Sequence, residues 1–386
     1  MIDVVADLRD VVRQAREAGH VALDTEFVWE RTYYPRLGVV QIAWSQEDSY
    51  LIDVVTIEDL SPLGELLSDA SVEKILHDPQ QDLTILRGAT GAYPTNVFDT
   101  RRAAGFVGLT CSISLVELLR ELFGLHLTNS QTRTDWTRRP LSAAQVEYAI
   151  DDVRYLRGAR DELLGRAAGL GREAWVNEEM RLYDDPALYE ARDPQVQFER
   201  VKGARRLQGR RLAALRELAR WREDQAQVED VPRAHIAPDE VLIALAKRMP
   251  RTRDDLRSIR GRFDRDRHGD QVLAAVKQGA GRPHSDWPRF APAPPQDEAL
   301  SARIDLVLAY VKGKGIASGV DPALLATRAE MSALVLEGVE ANPEDHTLLQ
   351  GWRRQFLGEE LLRFMSGDGA ITLDRQTGLP RLVTEY

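Results

Sequence analysis

The stretch VALDTEFVWE, residues 21–30, sets two carboxylates, Asp24 and Glu26, at the end of an apolar run that otherwise reads as a buried strand. Residues two apart in a strand share a face, so both acids project from the same side, a few ångströms from each other. Left without a counter-charge they repel one another and resist burial. A strand end emerging into solvent accommodates such a pair, and only carboxylates elsewhere in the chain favour another use for it.

Outward from this stretch, the runs VALDTEF, GVVQIAW, SYLIDVV and EKILHD alternate with amphipathic segments such as IEDLSPLGELLSDA and SISLVELLRELFG, as far as about Leu122. The alternation predicts an α/β domain. Beyond about Ala143, Leu, Ala, Arg and Glu at helical spacing dominate, and the C-terminal half is expected to be helical. Two stretches divide it: 171–204, polar around YDDPALYEARDPQ, and 283–297, PHSDWPRFAPAPPQD, whose prolines cannot sit inside a helix. The two modules look like a degenerate repeat, with IAPDEVLIALAKR at 236–248 and GVDPALLATRAEM at 319–331 aligned on Pro238 and Pro322, 84 residues apart. A Pro beside Asp is also plain helix-start chemistry.

The length of 386 residues suggests two or three domains, and 43% apolar with 29% charged residues indicates neither disorder nor a membrane protein. No apolar run approaches the ~20 residues that span a bilayer. The opening MIDVVADLRDVVRQAREAG mixes charge signs and lacks the basic start and apolar centre of a signal peptide, so a cytoplasmic protein is expected. Cys111 is the single cysteine, which excludes an intrachain disulfide and a cysteine zinc cluster. The net charge of −10 argues against a nucleic-acid partner only as a total. Binding depends on local patches, and acids that ligate metal are neutralised by it, so charge leaves the partner open.

More carboxylates are present. In ILHDPQQDLTILR, 75–87, a short strand gives way to a helix around Pro79, with Asp82 in its first turns and Asp78 just before it, placed as an N-cap. In QVEYAIDDVRYLRG, 145–158, Tyr148 and Asp152 are four apart on one helix face. Asp151 turns about 100° away, towards Glu147.

LDTEF, HDPQQDL and YAIDD, in that order, resemble the three exonuclease motifs of the DEDDy 3′ to 5′ exonuclease superfamily. Within it, ALDTEFVWERTYYPRLGVVQI and RTDWTRRPLSAAQVEYAIDDVRYL resemble ribonuclease D, tightly over the first 160 residues and loosely beyond. The resemblance implies a ribonuclease H-like α/β exonuclease domain over 1–170, with a mixed central sheet flanked by helices. It further implies a linker over 171–204, an HRDC helical domain over 205–282, a Pro-rich linker over 283–297, an HRDC-like domain over 298–375 and a tail over 376–386. Two positions depart from the family pattern: Asp78 stands where a small residue or Asn is usual, and Asn129 where relatives often carry Lys.

Phosphodiester hydrolysis brings a hydroxide to an already anionic phosphorus and stabilises the oxygen that leaves. Two divalent cations about 3.5–4 Å apart serve both needs, and Mg²⁺ or Mn²⁺ takes oxygen ligands. Asp24, Glu26, Asp82 and Asp152 are thus the expected ligands of such a pair, Asp24 bridging. Tyr148, with an ordinary pKa of about 10, is expected to orient the water. The expected product is a nucleoside 5′-monophosphate.

Substrate contacts are expected from Phe27, with Trp29, Tyr33 and Tyr34 divided between core and base stacking. Arg133, Arg138 and Arg139 could meet phosphates or stand solvated. VKGARRLQGRR, 201–211, offers Lys202, Arg205, Arg206, Arg210 and Arg211 as one wall of a nucleic-acid funnel or as a solvated helix face. His77, at a strand end beside its motif, is placed near nucleic acid, with a supporting role favoured over a metal ligand. KGKGIASG, 312–319, matches no phosphate-binding loop and reads as a loop between helices.

The resulting expectation is a monomeric, metal-dependent 3′ to 5′ exoribonuclease acting on 3′ ends of structured RNA, tRNA precursors being implied by the resemblance, with no membrane partner. The competing readings are a DNA exonuclease of the same superfamily, separated by the 2′-hydroxyl, and a silent nucleic-acid-binding scaffold. Loss of an acid would have favoured the scaffold, and none is lost.

Overall fold

The computed structural model describes residues 1–127, 134–190, 193–290 and 297–383. The chain divides into two compact units: one joins Met1–Glu26, Leu37–Tyr189 and Pro295–Tyr386, the other Phe27–Arg36 and Glu190–Pro294. Among the described residues no helix is long and apolar enough to cross a membrane.

The first unit is built on a five-stranded sheet of β1 (His20–Val28), β2 (Arg36–Ala43), β3 (Ser49–Asp53), β4 (Glu73–Leu76) and β5 (Val97–Asp99), in the order β3-β2-β1-β4-β5. The sheet is mixed: β1 and β4 pair parallel, as do β4 and β5, while β2 and β3 pair antiparallel. Val21, Ala22 and Leu23 are buried, so β1 is central and covered on both faces until Asp24. β5 is only three residues long, too short to leave an alternating signal in the sequence. Around the sheet lie α1 (Val5–Ala18), α2 (Ser61–Leu67), α3 (Gln80–Thr90), α4 (Thr100–Ala104), α5 (Leu115–Phe123), α6 (Ala143–Arg154), α7 (Leu156–Gly169) and α8 (Glu173–Met180). Ser114 with Glu117 and Ser142 with Gln145 form capping boxes that start α5 and α6.

The polar stretch 171–204 is no bare linker. It holds α8 and several 3₁₀ turns, and buries Met180, Tyr183 and Tyr189 in the nuclease core. The Tyr183 hydroxyl donates to the Asp99 carboxylate at 2.6 Å. Its many acids and arginines hide a few anchors whose apolar contacts decide the structure.

The second unit packs α9 (Gly209–Glu229), α10 (Arg233–Ile236), α11 (Asp239–Arg248), α12 (Arg253–Arg257) and α13 (Arg265–Gly281) around Leu215, Leu218, Val241, Leu245 and Val272. Gly279 lets α13 approach α9 closely, since a Cβ there would lie 2.5 Å from the Ala213 carbonyl oxygen.

The C-terminal module consists of α14 (Glu298–Ser318), α15 (Arg328–Glu337) and α16 (Gly351–Arg353), which passes through a π-helical turn at Arg354–Gly358 into α17 (Glu359–Ser366). It ends in an antiparallel hairpin of β6 (Ala370–Leu373) and β7 (Pro380–Val383), in place of the expected helix and tail. α14 matches α9 in length at 21 residues and α15 matches α11 at 10, both displaced by 89 residues, from 209 to 298 and from 239 to 328. Pro238 caps α11 directly whereas Pro322 opens a separate 3₁₀ turn, which is why aligning the two prolines gives a shorter offset. KGKGIASG is helix, not loop: it closes α14, and Gly319 at φ 65° ends it. Its glycines are packing residues, for a Cβ on Gly313 would lie 2.7 Å from Pro380 and one on Gly315 2.8 Å from the Val320 carbonyl oxygen.

Candidate active site

β1 carries Asp24 and Glu26, half-buried, beyond its fully buried apolar half. α6 brings Tyr148 and Asp152 to them, one helical turn apart on one face. Carboxylate oxygens of Asp24, Glu26 and Asp152 lie within 4.8 Å of one another. Asp82, in the first turn of α3, is not one of these three: its carboxylate accepts a hydrogen bond from the Thr25 hydroxyl. Its charge nevertheless acts on both Asp24 and Glu26.

The electrostatics are those of anions gathered where none is welcome. Burial holds Asp24 well above the ordinary carboxylate range, and the charges of Asp82, Asp152 and Glu26 add to it. Glu26 is pushed up to about 9 by burial, then by Asp152 and Asp82. Burial raises Asp152 to about 7, with Asp151 and Asp82 contributing, and Asp82 to about 6, the Thr25 hydrogen bond opposing. Burial likewise drives the Tyr148 hydroxyl far above its usual range, assisted by Asp152. Clustered oxygen donors that cannot all ionise without a counter-charge fit a hard divalent cation.

Thr25 is a member of the acidic cluster that the motif spacing does not reveal. It lies between the two acids of LDTEF, and its position as a buried strand residue conceals that its hydroxyl holds an acid from another element. Thr25→Val keeps the shape and removes the donor. The variant is expected to lose about 10- to 100-fold in metal affinity or turnover, as outer partners of metal ligands do. Titration of Mn²⁺ against activity, beside an unchanged far-ultraviolet spectrum, checks this; an unaltered metal dependence would count against it.

The remaining candidates separate cleanly. Asp151 pairs with Arg154 at 3.3 Å. Asp78 does not cap α3: Pro79 is the N-cap residue, and no side chain caps that helix. Asp78 adopts a left-handed φ of 60°, gives its backbone N–H to Asp99 at 3.1 Å and pairs its carboxylate with Arg101, which offsets the extra charge. His77 has neither ring nitrogen free for nucleic acid, since Nδ1 meets the Thr100 hydroxyl at 2.9 Å and Nε2 the Ile113 carbonyl at 3.1 Å. Arg139 is no phosphate ligand either: its guanidinium grips both oxygens of buried Asp53 at 2.6 Å and donates to the carbonyls of Gly38 and Trp136 at 2.8 Å. Arg138 is exposed, without a side-chain partner among the described residues. Arg133 and Asn129 lie outside the described residues.

In the second unit Phe27 is half-buried, whereas Trp29 and Tyr34 are exposed. Lys202, Arg205, Arg206, Arg210 and Arg211 are exposed but share no single helix face, because the first three precede α9 in a loop and a 3₁₀ turn. Arg205 stacks over Phe290 at 4.8 Å, and Arg210 donates to the Ala280 carbonyl at 2.9 Å.

Residues 1–166 match the family model described as 3′-5′ exonuclease, and residues 211–276 that of the HRDC domain. Ribonuclease D of Desulfotalea psychrophila is 38% identical over 362 residues, covering 92% of this chain and 96% of the relative. Ribonuclease D of Granulibacter bethesdensis is 36% identical, over 95% and 93%. The crystal structure of Escherichia coli RNase D, described as an exoribonuclease involved in structured RNA processing, superposes with a TM-score of 0.84 at 29% identity, covering 95% of this chain and 98% of that one.

Proposed function

Because the chain belongs to the ribonuclease D family of 3′ to 5′ exoribonucleases, we propose that it trims the 3′ ends of structured RNA such as tRNA precursors, releasing nucleoside 5′-monophosphates. The observation that carries the reading is the convergence of Asp24, Glu26 and Asp152 within 4.8 Å, each held above its ordinary pKa. With Asp82 they would hold two divalent cations, Mg²⁺ or Mn²⁺. Such cations, when bound, activate the attacking water and neutralise the departing 3′ oxygen. Tyr148 keeps its proton at any physiological pH and is hydrogen-bonded to Asp152, so it positions the water and does not deprotonate it.

Phe27 is assigned to the terminal base, and Arg138, Lys202, Arg205 and Arg206 to the phosphates of the incoming strand; the lack of side-chain partners at Arg138, Lys202 and Arg206 among the described residues supports this. Residues 298–375 are read as a second, HRDC-like copy on the strength of the 89-residue displacement of α14 and α15 from α9 and α11. The enzyme works as a cytoplasmic monomer.

The experiment compares a 3′-extended tRNA with single-stranded DNA, in Mg²⁺ and in EDTA. Stepwise shortening of the tRNA in Mg²⁺, and none in EDTA, is expected. Shortening in EDTA would overturn the metal assignment, and faster loss of the DNA would overturn the choice of RNA.

A further inference from the structure

Phe27–Arg36, the segment that follows Glu26 in the chain, belongs to the helical unit with Glu190–Pro294, although β1 on one side and β2 on the other are sheet strands. It is densely aromatic, with Phe27, Trp29, Tyr33 and Tyr34 in ten residues, against 7% aromatics in the whole chain.

Its base is fastened to the end of α9. Asp230 ends that helix in a left-handed conformation, φ 48°, and one of its carboxylate oxygens accepts from the backbone N–H groups of Tyr33 at 3.0 Å and Tyr34 at 3.1 Å. Its other oxygen lies 3.5 Å from the Arg36 guanidinium. The Tyr33 hydroxyl donates to Glu223, a 3% exposed carboxylate ion-paired with Arg233, and accepts from Gln227 and Arg233 at 3.1 Å each. The Arg233 guanidinium also lies 4.9 Å over the Tyr33 ring.

Its outer part is the opposite. Trp29 is 51% and Tyr34 53% exposed, and Arg31 is exposed with no partner among the described residues. The Trp29 indole N–H is fixed to the Tyr33 carbonyl at 3.2 Å, and the Tyr34 ring meets the Tyr33 ring edge-on at 4.8 Å. Large aromatic faces left in water while their backbone is pinned by hydrogen bonds and ion pairs are pre-organised to receive flat partners at little entropic cost.

We propose that Phe27–Arg36 is a base-stacking strap for the unpaired 3′ end of RNA, and that Asp230 and Glu223, within the HRDC region, are positioning residues that hold Trp29 and Tyr34 in the receptive shape. The inference rests on the exoribonuclease reading and adds a task for the helical unit: besides any phosphate contact, it shapes the aromatic segment that continues from a metal ligand. Arg31 supplies the phosphate contact between stacked bases.

The test uses the full chain and a 3′-extended single-stranded RNA, measuring Kd by fluorescence anisotropy and KM and kcat by turnover. Asp230→Gly keeps the left-handed backbone and deletes the acceptor together with its pairing to Arg36. It is expected to raise Kd and KM ~10-fold with kcat within about twofold. Asp230→Asn, which retains an acceptor oxygen and tolerates the same backbone, restores the parent values. Tyr33→Phe reproduces part of the loss. Trp29→Ala raises Kd similarly, and the double variant Trp29→Ala with Asp230→Gly is no worse than either single change, because both remove one platform. A Kd unchanged in Asp230→Gly, a loss of melting temperature alone, or effects that multiply in the double variant would overturn the proposal. Failure of the activity reading is seen separately, as a parent chain that binds this RNA without shortening it.

Discussion

Asp24→Asn and Asp152→Asn proteins are each expected to lose ~10³-fold or more of their turnover in Mg²⁺, about 4 kcal/mol of barrier, while melting at a higher temperature than the parent chain in EDTA. Both effects have one cause. Asp24, Glu26 and Asp152 stand together half-buried, and each is held above the pKa it has when unfolded. A neutral amide removes from the cluster a group that is costly to bury and, on the proposed reading, one ligand from the cations, so it stabilises the metal-free fold and disables the chemistry. The sign of the pH dependence follows. Folded Asp82, Asp152 and Glu26 release protons near about 6, 7 and 9, whereas unfolded carboxylates have released them by about pH 4–5. The folded chain therefore holds more protons across that window. Stability in EDTA is fullest below the unfolded values and falls as pH rises towards 9. Divalent cations need the deprotonated ligands, so their affinity, and the rise in melting temperature they cause, grows over the same interval. Undiminished nuclease activity in either variant, or a melting temperature in EDTA that is flat from pH 5 to 9, would remove the four-acid cluster from the mechanism.

The acids were legible because local geometry alone brings most of them into register. A strand fixes Asp24 and Glu26 to one face and a helix fixes Tyr148 and Asp152 to another, so spacing in the sequence carried the pairing. What spacing cannot carry is a contact between elements far apart in the chain. The Thr25 hydroxyl on Asp82 spans 57 positions, and the Arg139 clamp on Asp53 spans 86. The second is neither of the two alternatives open to Arg139 in the sequence, phosphate ligand or solvated side chain, because an arginine beside another arginine looks the same whether it faces solvent or a buried carboxylate. Helix ends misled for a related reason: Asp78 before Pro79 has the composition of an N-cap, but its left-handed backbone sends the carboxylate to Arg101. Glycines in KGKGIASG suggested a loop because their partners, Pro380 and Pro322, arrive from outside the helix. A change of composition marks where helices take over from strands, but it does not show that Pro295–Tyr386 falls in one compact unit with the nuclease half. Nor does it show that 27–36 leaves the sheet to join the helical unit, for its aromatics suit a nuclease core, a stacking surface and a helical clamp equally well.

Trp352→Ala is expected to lower the stability of the nuclease unit itself by about 3–5 kcal/mol, a fall of ~10 °C in melting temperature. A separate C-terminal domain on a linker would not have this effect, since its loss of packing would stay its own. Trp352 is fully buried, with its ring edge-on to Phe106 at 4.9 Å and stacked on Trp175 at 5.6 Å, both from the nuclease half of the chain. Its indole N–H donates to Glu179 at 2.8 Å, and that buried carboxylate also receives Arg102 at 2.7 Å and Arg353 at 2.8 Å. The two guanidiniums hold the Glu179 pKa down, so the charge persists in the interior and its donors cannot be removed without leaving it short of partners. Other seams bind the same surfaces: the Asp321 backbone N–H reaches the Gly105 carbonyl at 2.8 Å, and its carboxylate accepts from the Cys111 backbone at 2.6 Å. Tyr310, Met331 and Leu357 of the C-terminal module lie in one apolar cluster with Leu23, Ile75 and Phe106 of the nuclease. Trp352→Phe retains most of the packing and gives up the indole donor, so it should cost only about 1–3 kcal/mol, the value of one donor to a buried charge. Differential scanning calorimetry beside heat inactivation of nuclease activity decides the matter. A single transition that shifts together with the inactivation midpoint is expected, whereas a shift confined to a second transition, with the midpoint of inactivation unmoved, would make the C-terminal module an independent domain.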